Sequence, residues 1–200
     1  MSLRHFFTVP AAFMAATIMF NTPVLEARQH AHSTQKDAAA ATPAEQAKMD
    51  IATDVSPKLM LRVEQSLGAF AHAIKGCPSA PVVMISRLKH YLERTPGVIG
   101  AAFAYAPEAN KGVKAAPYVY LNNGIFIEKN LPDGYDYTGP EVEWYSAPVL
   151  EKKAHWSAPY YDKDGAEIDM ITYSVPIYNG EGQLLGVVTS DLVWNKELRK

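Results

Sequence analysis

Apolar residues recur every three or four positions after residue 56 and predict an amphipathic helix. Ser56 and Pro57 mark its start, because serine caps free backbone N–H groups and proline suits the first helical turn. Gly76 stands where a helix commonly ends. The apolar positions, which this spacing places on one helical face, are Leu59, Val63, Leu67, Phe70 and Ile74.

A second stripe predicts a shorter helix from Pro81 to Arg94. Its apolar positions are Val82, Ile85, Leu88 and Leu92. Thr95-Pro96 ends it, because a residue that precedes proline disfavours helical backbone angles.

After Pro96 the hydrophobic period becomes that of strands. Asn123-Gly124 predicts a tight hairpin, and the glycine-rich segment 179–182 predicts another turn. Strands joined by short turns after leading helices predict an α+β fold with an antiparallel sheet. The predicted strands are residues 98–105, 118–121, 125–128, 170–175 and 183–190.

The N-terminal 27 residues have the layout of a secretory signal. Arg4 precedes an uncharged apolar run at residues 6–20, and a small residue, Ala27, offers a cleavage point. The run is short for a membrane span, which needs about 20 residues, although an uncleaved anchor remains an alternative. We therefore predict export to the periplasm or another extracytoplasmic space, a flexible spacer at residues 28–55 and a single domain at residues 56–200.

Composition excludes several classes of function. The 200 residues are 48% hydrophobic, enough for a core, and the formal net charge of −2 gives no basic surface for nucleic acid. A lone cysteine, Cys77, cannot form an internal disulfide or a thiolate metal site by itself. His30 and His32 have no third ligand near them in the sequence, so we expect neither a metal nor a cofactor.

The segment 156–165, WSAPYYDKDG, combines three aromatic residues with two aspartates. His155, Ser157 and Asp162 contain the residue types of a catalytic triad, but triads assemble from distant segments and no nucleophile motif surrounds the serine. The acids do not follow the spacing of a calcium loop, because Gly165 comes directly after the second aspartate. Residues 162–165 are better interpreted as a turn between two strands.

A pocket is the remaining interpretation of this region. Aromatic walls with a few polar groups are typical of small-molecule sites and attract cations. Packing of the same side chains in the core is the alternative. The residues concerned are Glu143, Trp144, Tyr145, Trp156, Tyr160, Tyr161 and Asp162.

The order of these motifs resembles the Cache (PDC sensor) family of extracytoplasmic, PAS-like sensor domains. The resemblance covers roughly residues 57–195. It is most specific in WSAPYYDKDG and in the terminal GVVTSDL, residues 186–192. It implies a long N-terminal helix packed on an antiparallel sheet, with a ligand pocket on one side and no catalysis.

Amino-acid-binding double Cache domains are similar in more detail. The resemblance implies ligand binding by Tyr137, Trp144, Tyr145, Trp156, Tyr160, Asp162 and Asp191. Val142 stands where the family has an arginine that would clasp a ligand carboxylate. The remaining aspartates suit an ammonium group, so the expected ligand is a small amine, an amino-acid-like molecule or another polar metabolite.

The resemblance also implies partners. A double Cache receptor would continue beyond Asp191 into a membrane-proximal module and an output domain, so we expect signalling through a membrane receptor or kinase. A homodimer through the N-terminal helix is a further expectation. The sequence leaves open a free-standing binding protein, a fragment of a longer receptor, a structural or interaction module with a degenerate pocket, and an exported enzyme.

Overall fold

The computed structural model describes residues 55–76 and 78–195. The predicted signal sequence, almost all of the predicted spacer and Cys77 lie outside them, as do His30 and His32. The described elements are α1 (Pro57–Ile74), α2 (Pro81–Arg94), β1 (Gly100–Tyr105), β2 (Pro117–Asn122), β3 (Ile125–Asn130), α3 (Glu143–Glu151), β4 (His155–Trp156), β5 (Tyr160–Tyr161), β6 (Asp169–Tyr178) and β7 (Leu184–Val193). Short 3-10 turns cover Pro107–Asn110 and Leu131–Asp133.

Both predicted helices are confirmed, but one buried face differs from the prediction. In α1 the Ser56 hydroxyl accepts a hydrogen bond from the Leu59 N–H at 3.2 Å, as expected of a helix cap. In α2, Val82 is 73% exposed and Ile85 is only partly buried. The buried positions are Met84, Leu88, Tyr91 and Leu92. Val82 therefore faces solvent, and the buried face of α2 is rotated from the predicted one.

The strands form one antiparallel sheet in the order β3-β2-β1-β7-β6-β4, with β5 pairing along β6 as well. The edge beside β6 is therefore made of two short strands, β4 and β5, separated by residues 157–159. Asn123 and Gly124 both have positive φ angles, 51° and 77°, which confirms the predicted hairpin between β2 and β3. Residues 163–166 form the predicted turn between β5 and β6.

Alternation along the strands separates the two faces of the sheet. On one face, Phe103, Val188 and Leu192 pack with the buried residues of α1 and α2. On the other face, Ala102 and Val187 pack with aromatic residues of the segment that includes α3. Side chains of successive strand residues point to opposite faces, so each strand contributes to both layers. Among the described residues no helix is long and apolar enough to cross a membrane.

Candidate functional site

Small residues of β1 create space on the face of the sheet that is opposite α1 and α2. Gly100, Ala102 and Ala104 alternate with Ala101, Phe103 and Tyr105, which face those helices. A side chain at Gly100 would lie 2.5 Å from the Tyr118 hydroxyl and 2.6 Å from Asp191 Oδ2. Glycine is thus required here to let a phenol and a carboxylate approach the backbone.

A small cavity of about 10 Å³ lies above these small residues, which is room for about one water molecule. Four of the predicted ligand-binding residues line this cavity, namely Trp144, Tyr160, Asp162 and Asp191. Among the described residues, its lining contains three phenols, two threonine hydroxyls and two carboxylates, and no Lys, Arg or His. The lining is Ala102, Tyr118, Leu131, Tyr135, Trp144, Tyr160, Asp162, Thr172, Thr189 and Asp191.

Asp191 lies at the sheet end of the cavity and is only 3% exposed. It is paired across the sheet with Gly100 on β1 and Thr172 on β6. The Thr172 hydroxyl donates to Asp191 Oδ1 at 2.9 Å and also contacts the Tyr160 hydroxyl at 2.9 Å. Because threonine has a single hydroxyl proton, the Tyr160 hydroxyl is the donor in the second bond. A directed chain therefore runs from Tyr160 through Thr172 to the carboxylate.

Burial changes the protonation of both acids. The pKa of Asp191 is raised to about 7, first by burial and then by the nearby Asp162 carboxylate, against the opposing effects of the Thr172 and Tyr118 hydroxyls. Burial also raises the pKa of Asp162, against the effect of the Ala166 N–H, which donates to its Oδ2 at 2.6 Å, and of the Lys129 charge. Two carboxyls that face one small cavity favour a proton or a bound cation between them.

The three phenols that line the cavity stay neutral at physiological pH. Burial is the largest cause that raises the pKa of each, and a neighbouring carboxylate is the next. For Tyr118 and Tyr160 that carboxylate is Asp191, and for Tyr135 it is Asp162. These side chains can therefore offer hydroxyl protons and aromatic faces, but no charge.

The Tyr118 side chain is only 3% exposed, and its hydroxyl interacts with the Asp191 carboxylate and lowers the pKa of that carboxyl, although the contact lacks ordinary hydrogen-bond geometry. The hydroxyl lies beside Asp191 Oδ2, since both would contact a side chain at Gly100.

Tyr137 and Tyr145, which the resemblance predicted as ligand-binding residues, do not line the cavity. Tyr137 is stacked on Trp144 with ring centroids 6.3 Å apart, and Tyr145 packs edge-on against both rings. The Tyr137 hydroxyl donates to the Tyr105 carbonyl at 2.6 Å. These two tyrosines form a packed layer that fixes the position of the Trp144 indole.

Trp156 is also placed elsewhere, on the face of the sheet that packs against α1. Its ring lies 4.9 Å from that of Tyr173, and its Nε1–H donates to Glu64 Oε1 of α1 at 2.8 Å. The alternation within β4 directs Trp156 to this face, whereas Tyr160 follows the break at residues 157–159 and faces the cavity. Trp156 is thus a contact between helix and sheet.

We expect Trp156→Phe to lower the free energy of unfolding by about 1–2 kcal/mol, because it removes the hydrogen bond to Glu64 and part of a half-buried ring. Urea unfolding followed by circular dichroism measures this change. Glu64→Gln keeps an acceptor oxygen and should cost less than half as much. A Trp156→Phe protein as stable as the wild type would contradict this assignment.

A groove of about 340 Å³ lies outside the cavity. Tyr135, Trp144, Tyr160 and Asp162 line both spaces and thus form the wall between them. The remaining groove residues, among them Val142, come from residues 141–143 and 158–164, and four of them are charged. They are Glu141, Val142, Glu143, Ala158, Pro159, Tyr161, Lys163 and Asp164.

Glu143 connects α3, which carries Trp144, to the segment that follows it. Its Oε1 lies 3.1 Å from His155 Nε2, and its Oε2 accepts from the Ala158 N–H at 3.0 Å. His155 Nδ1 lies 3.4 Å from Glu151 Oε2 at the other end of α3. These contacts hold the helix against β4 and engage both ring nitrogens of His155. The described residues also contain no cluster of three His, Cys, Asp or Glu that could hold a metal ion.

Sequence reasoning missed several lining residues, namely Tyr118, Leu131, Tyr135, Thr172 and Thr189, and it missed helix α3. The small residues at every second position of β1 were the available signal for this face. Tyr118 and Thr172 follow from strand register, which local sequence does not fix.

Comparison with known proteins agrees with this architecture. The model of the family "methyl-accepting chemotaxis protein-like, first PDC sensor domain" matches residues 84–196. The chain belongs to this family. It is a family of sensory ligand-binding domains, which confirms the fold and the class of domain that the resemblance implied.

Three solved structures illustrate the likeness. The extracellular domain of the candidate histidine kinase soHK1S-Z6 is 26% identical, with a TM-score of 0.62, over 68% of this chain and 54% of that chain. A structure named methyl-accepting chemotaxis protein X is 21% identical, with a TM-score of 0.52, over 74% and 61%. The ligand-binding domain of the Campylobacter jejuni chemoreceptor Tlp3, in complex with L-norvaline, is 14% identical, with a TM-score of 0.51, over 76% and 55%.

The chain thus spans little more than half the length of the solved structures that it matches. The last two likenesses, which are below 25% identity, show the fold alone. No protein with a curated description matches this chain.

Proposed function

We propose that this PDC domain senses a small cationic molecule, an amine or an amino-acid-like compound, bound between Trp144, Tyr160, Asp162 and Asp191. The observation that carries the proposal is a pair of carboxyls, Asp191 buried and Asp162 half-buried, which faces a cavity whose lining, within the described residues, includes no basic side chain. An ammonium group would neutralise the pair and accept cation–π contacts from the aromatic wall. Val142 provides no charge for a ligand carboxylate.

The cavity is so small that the protein would have to rearrange when a ligand binds. At about 10 Å³ the space is too small for an amine such as n-pentylamine. A ligand would therefore displace the wall that the cavity shares with the outer groove. Trp144 belongs to α3, and His155 and Ala158 bond its neighbour Glu143. Movement of this wall would shift α3 relative to β4, and a ligand that favours the open packing would shift the population towards it.

The signal would be passed to another protein. A membrane receptor or a kinase is the partner type we propose, with export directed by residues 1–27. A second copy paired through the N-terminal helix is compatible with the same scheme. An interaction module with a degenerate pocket is the rival function, and an exported enzyme is a weaker one.

A thermal-shift screen tests the proposal. We expect n-pentylamine or a related amine, at a hundred times its dissociation constant, to raise the melting temperature by about 5–10 °C, because binding adds about 2.7 kcal/mol to stability. Asp162→Asn should abolish the shift. The matched control is Asp133→Asn, an exposed residue outside both spaces.

Amino acids and carboxylates belong in the same screen. A shift with acetate or succinate but none with amines would contradict the assigned charge of the ligand. If no compound shifts the melting temperature and Asp162→Asn has no effect, the sensor assignment of this cavity fails and the interaction module is favoured.

A further inference from the structure

His155 lies between two carboxylates that belong to the two ends of α3. Its Nε2 is 3.1 Å from Glu143 Oε1 at the first residue of the helix, and its Nδ1 is 3.4 Å from Glu151 Oε2 at the last residue. The histidine itself belongs to β4, so one side chain joins both ends of the helix to the edge of the sheet. The side chain is 22% exposed, which leaves the imidazole accessible to protons from solvent.

The charge of the imidazole decides whether both of these contacts are attractive. A protonated ring carries an N–H group at each nitrogen and donates to both carboxylates. A neutral ring has one N–H, so the lone pair of its other nitrogen faces a carboxylate oxygen and that contact becomes repulsive. Loss of the proton therefore removes one hydrogen bond and the charge attraction of both pairs.

The other titratable groups around His155 do not replace this response. On β6 its register partner is the uncharged Ser174, and Asp169 lies at the start of that strand, where it pairs with β5. Lys153 Nζ lies 3.4 Å from Glu151 Oε2 and shares that carboxylate with the histidine. Burial raises the pKa of both phenols of β6, which stay neutral. The titratable residues of α3, the following turn and β6 are Glu143, Tyr145, Glu151, Lys152, Lys153, Asp169, Tyr173 and Tyr178.

Helix α3 has few internal features that would hold it in place. It is nine residues long, and Val142 at its start provides no side-chain hydrogen bond to the first turn. Pro148 lies inside it and has no N–H, so the Trp144 carbonyl lacks its usual helical partner. Isolated helices of this length are not stable in water. The position of α3 therefore depends on contacts with its neighbours, and His155 supplies one at each end.

From these contacts we infer that His155 is a pH-dependent clamp, which holds α3 against β4 firmly when the imidazole is protonated and weakly when it is neutral. Histidine is the side chain that ordinarily changes charge between about pH 5 and 8. Because α3 carries Trp144, the clamp would oppose displacement of the cavity wall at acidic pH and permit it above neutral pH. This control of the wall rests on the proposed function, whereas the clamp itself does not.

Hydrogen exchange of the ligand-free full chain tests the clamp. Mass spectrometry of peptides from residues 143–151 gives the protection of the α3 amides, after correction for the intrinsic pH dependence of exchange. At about pH 5.5 we expect α3 of the wild type to be about threefold to tenfold more protected than that of His155→Gln, the range that two partly exposed ion pairs support. At about pH 8 the two proteins should agree within about twofold, because glutamine and neutral histidine each donate to one carboxylate.

His90→Gln is the matched control. His90 lies 3.5 Å from Glu93 within α2, so this variant removes an exposed histidine contact elsewhere and should keep the wild-type protection of α3 at both pH values. Glu151→Gln keeps the histidine and removes one carboxylate, so its α3 should be less protected than the wild type at about pH 5.5. Wild-type protection of α3 at that pH in either His155→Gln or Glu151→Gln would overturn the clamp.

Binding of n-pentylamine separates the clamp from the proposed function. If both hold, His155→Gln should bind the amine about threefold to tenfold more tightly than the wild type at about pH 5.5, because more of it has a displaceable wall. If the exchange results are as expected but the amine binds neither protein, the clamp stands and the proposed amine site fails. If Asp162→Asn abolishes amine binding but α3 protection does not depend on His155, the clamp fails and the amine site stands.

Discussion

Asp191→Asn should make the free protein more stable at pH 8 while it abolishes amine binding. Burial beside Asp162 raises the pKa of Asp191 from 3.8 to about 7. The folded state therefore holds a proton between pH 4 and 7 that the unfolded state has released. Folding binds protons in this window, so stability is full below pH 4 and declines as the pH rises through 7.

The expected decline is large. A shift of about three pKa units corresponds to a loss on the order of 4 kcal/mol by pH 8, and the raised pKa of Asp162 acts in the same direction. Asparagine is neutral at every pH, so the variant should resemble the wild type near pH 4 and exceed it by about 2–4 kcal/mol at pH 8.

Urea unfolding at several pH values between 4 and 8 measures this difference. Asp133→Asn, which removes an exposed carboxylate, should retain the wild-type decline. Calorimetry with n-pentylamine should give tighter binding to the wild type as the pH rises from 6 to 8, and no binding to Asp191→Asn. Equal slopes for the wild type and Asp191→Asn would show that this carboxyl is not the group that binds the extra proton.

Gly100→Ala should both destabilise the domain and block the site. The added methyl group would lie 2.5 Å from the Tyr118 hydroxyl and 2.6 Å from Asp191 Oδ2, so the phenol or the carboxylate must move. Overpacking of this kind costs about 1–3 kcal/mol. We expect the affinity for n-pentylamine to fall at least about tenfold, because the cavity has no spare volume.

Gly68→Ala is the matched control. Gly68 lies on the exposed face of α1 with no atom within 4 Å of an added side chain. Alanine there should raise stability by up to about 1 kcal/mol through helix propensity, without changing affinity. Wild-type affinity in a folded Gly100→Ala protein would show that the ligand does not reach the Tyr118–Asp191 end.

The elements of this domain were largely predictable because they depend on local patterns. The stripe that includes Val63 and Leu67 fixed α1, and positive φ at Asn123 and Gly124 fixed the hairpin. Helix α3 was missed because Pro148 lies inside it, and because its aromatic residues suggest packing or binding equally well. Its position depends on contacts such as Glu143 with His155, which join residues twelve apart.

The residues of the candidate site were likewise only partly predictable from the sequence. Resemblance to a known pattern selected Trp144, Tyr160, Asp162 and Asp191, and these residues do meet at one cavity. Tyr137, Tyr145 and Trp156 were selected on the same grounds, but they lie behind the wall or on the opposite face. The pattern records residue type and order, whereas the face to which a side chain points depends on strand alternation and on breaks such as the one at residues 157–159.

By itself, the sequence determined the two leading helices, the antiparallel strands, the family and the supply of aromatic and acidic residues. The tertiary structure alone decided which of them share a space. Register places Gly100, Asp191 and Thr172 side by side on three strands, and burial then changes the chemistry of the carboxyl. Both effects arise from residues far apart in the chain, because pairing and desolvation depend on the folded neighbours and not on the adjacent sequence.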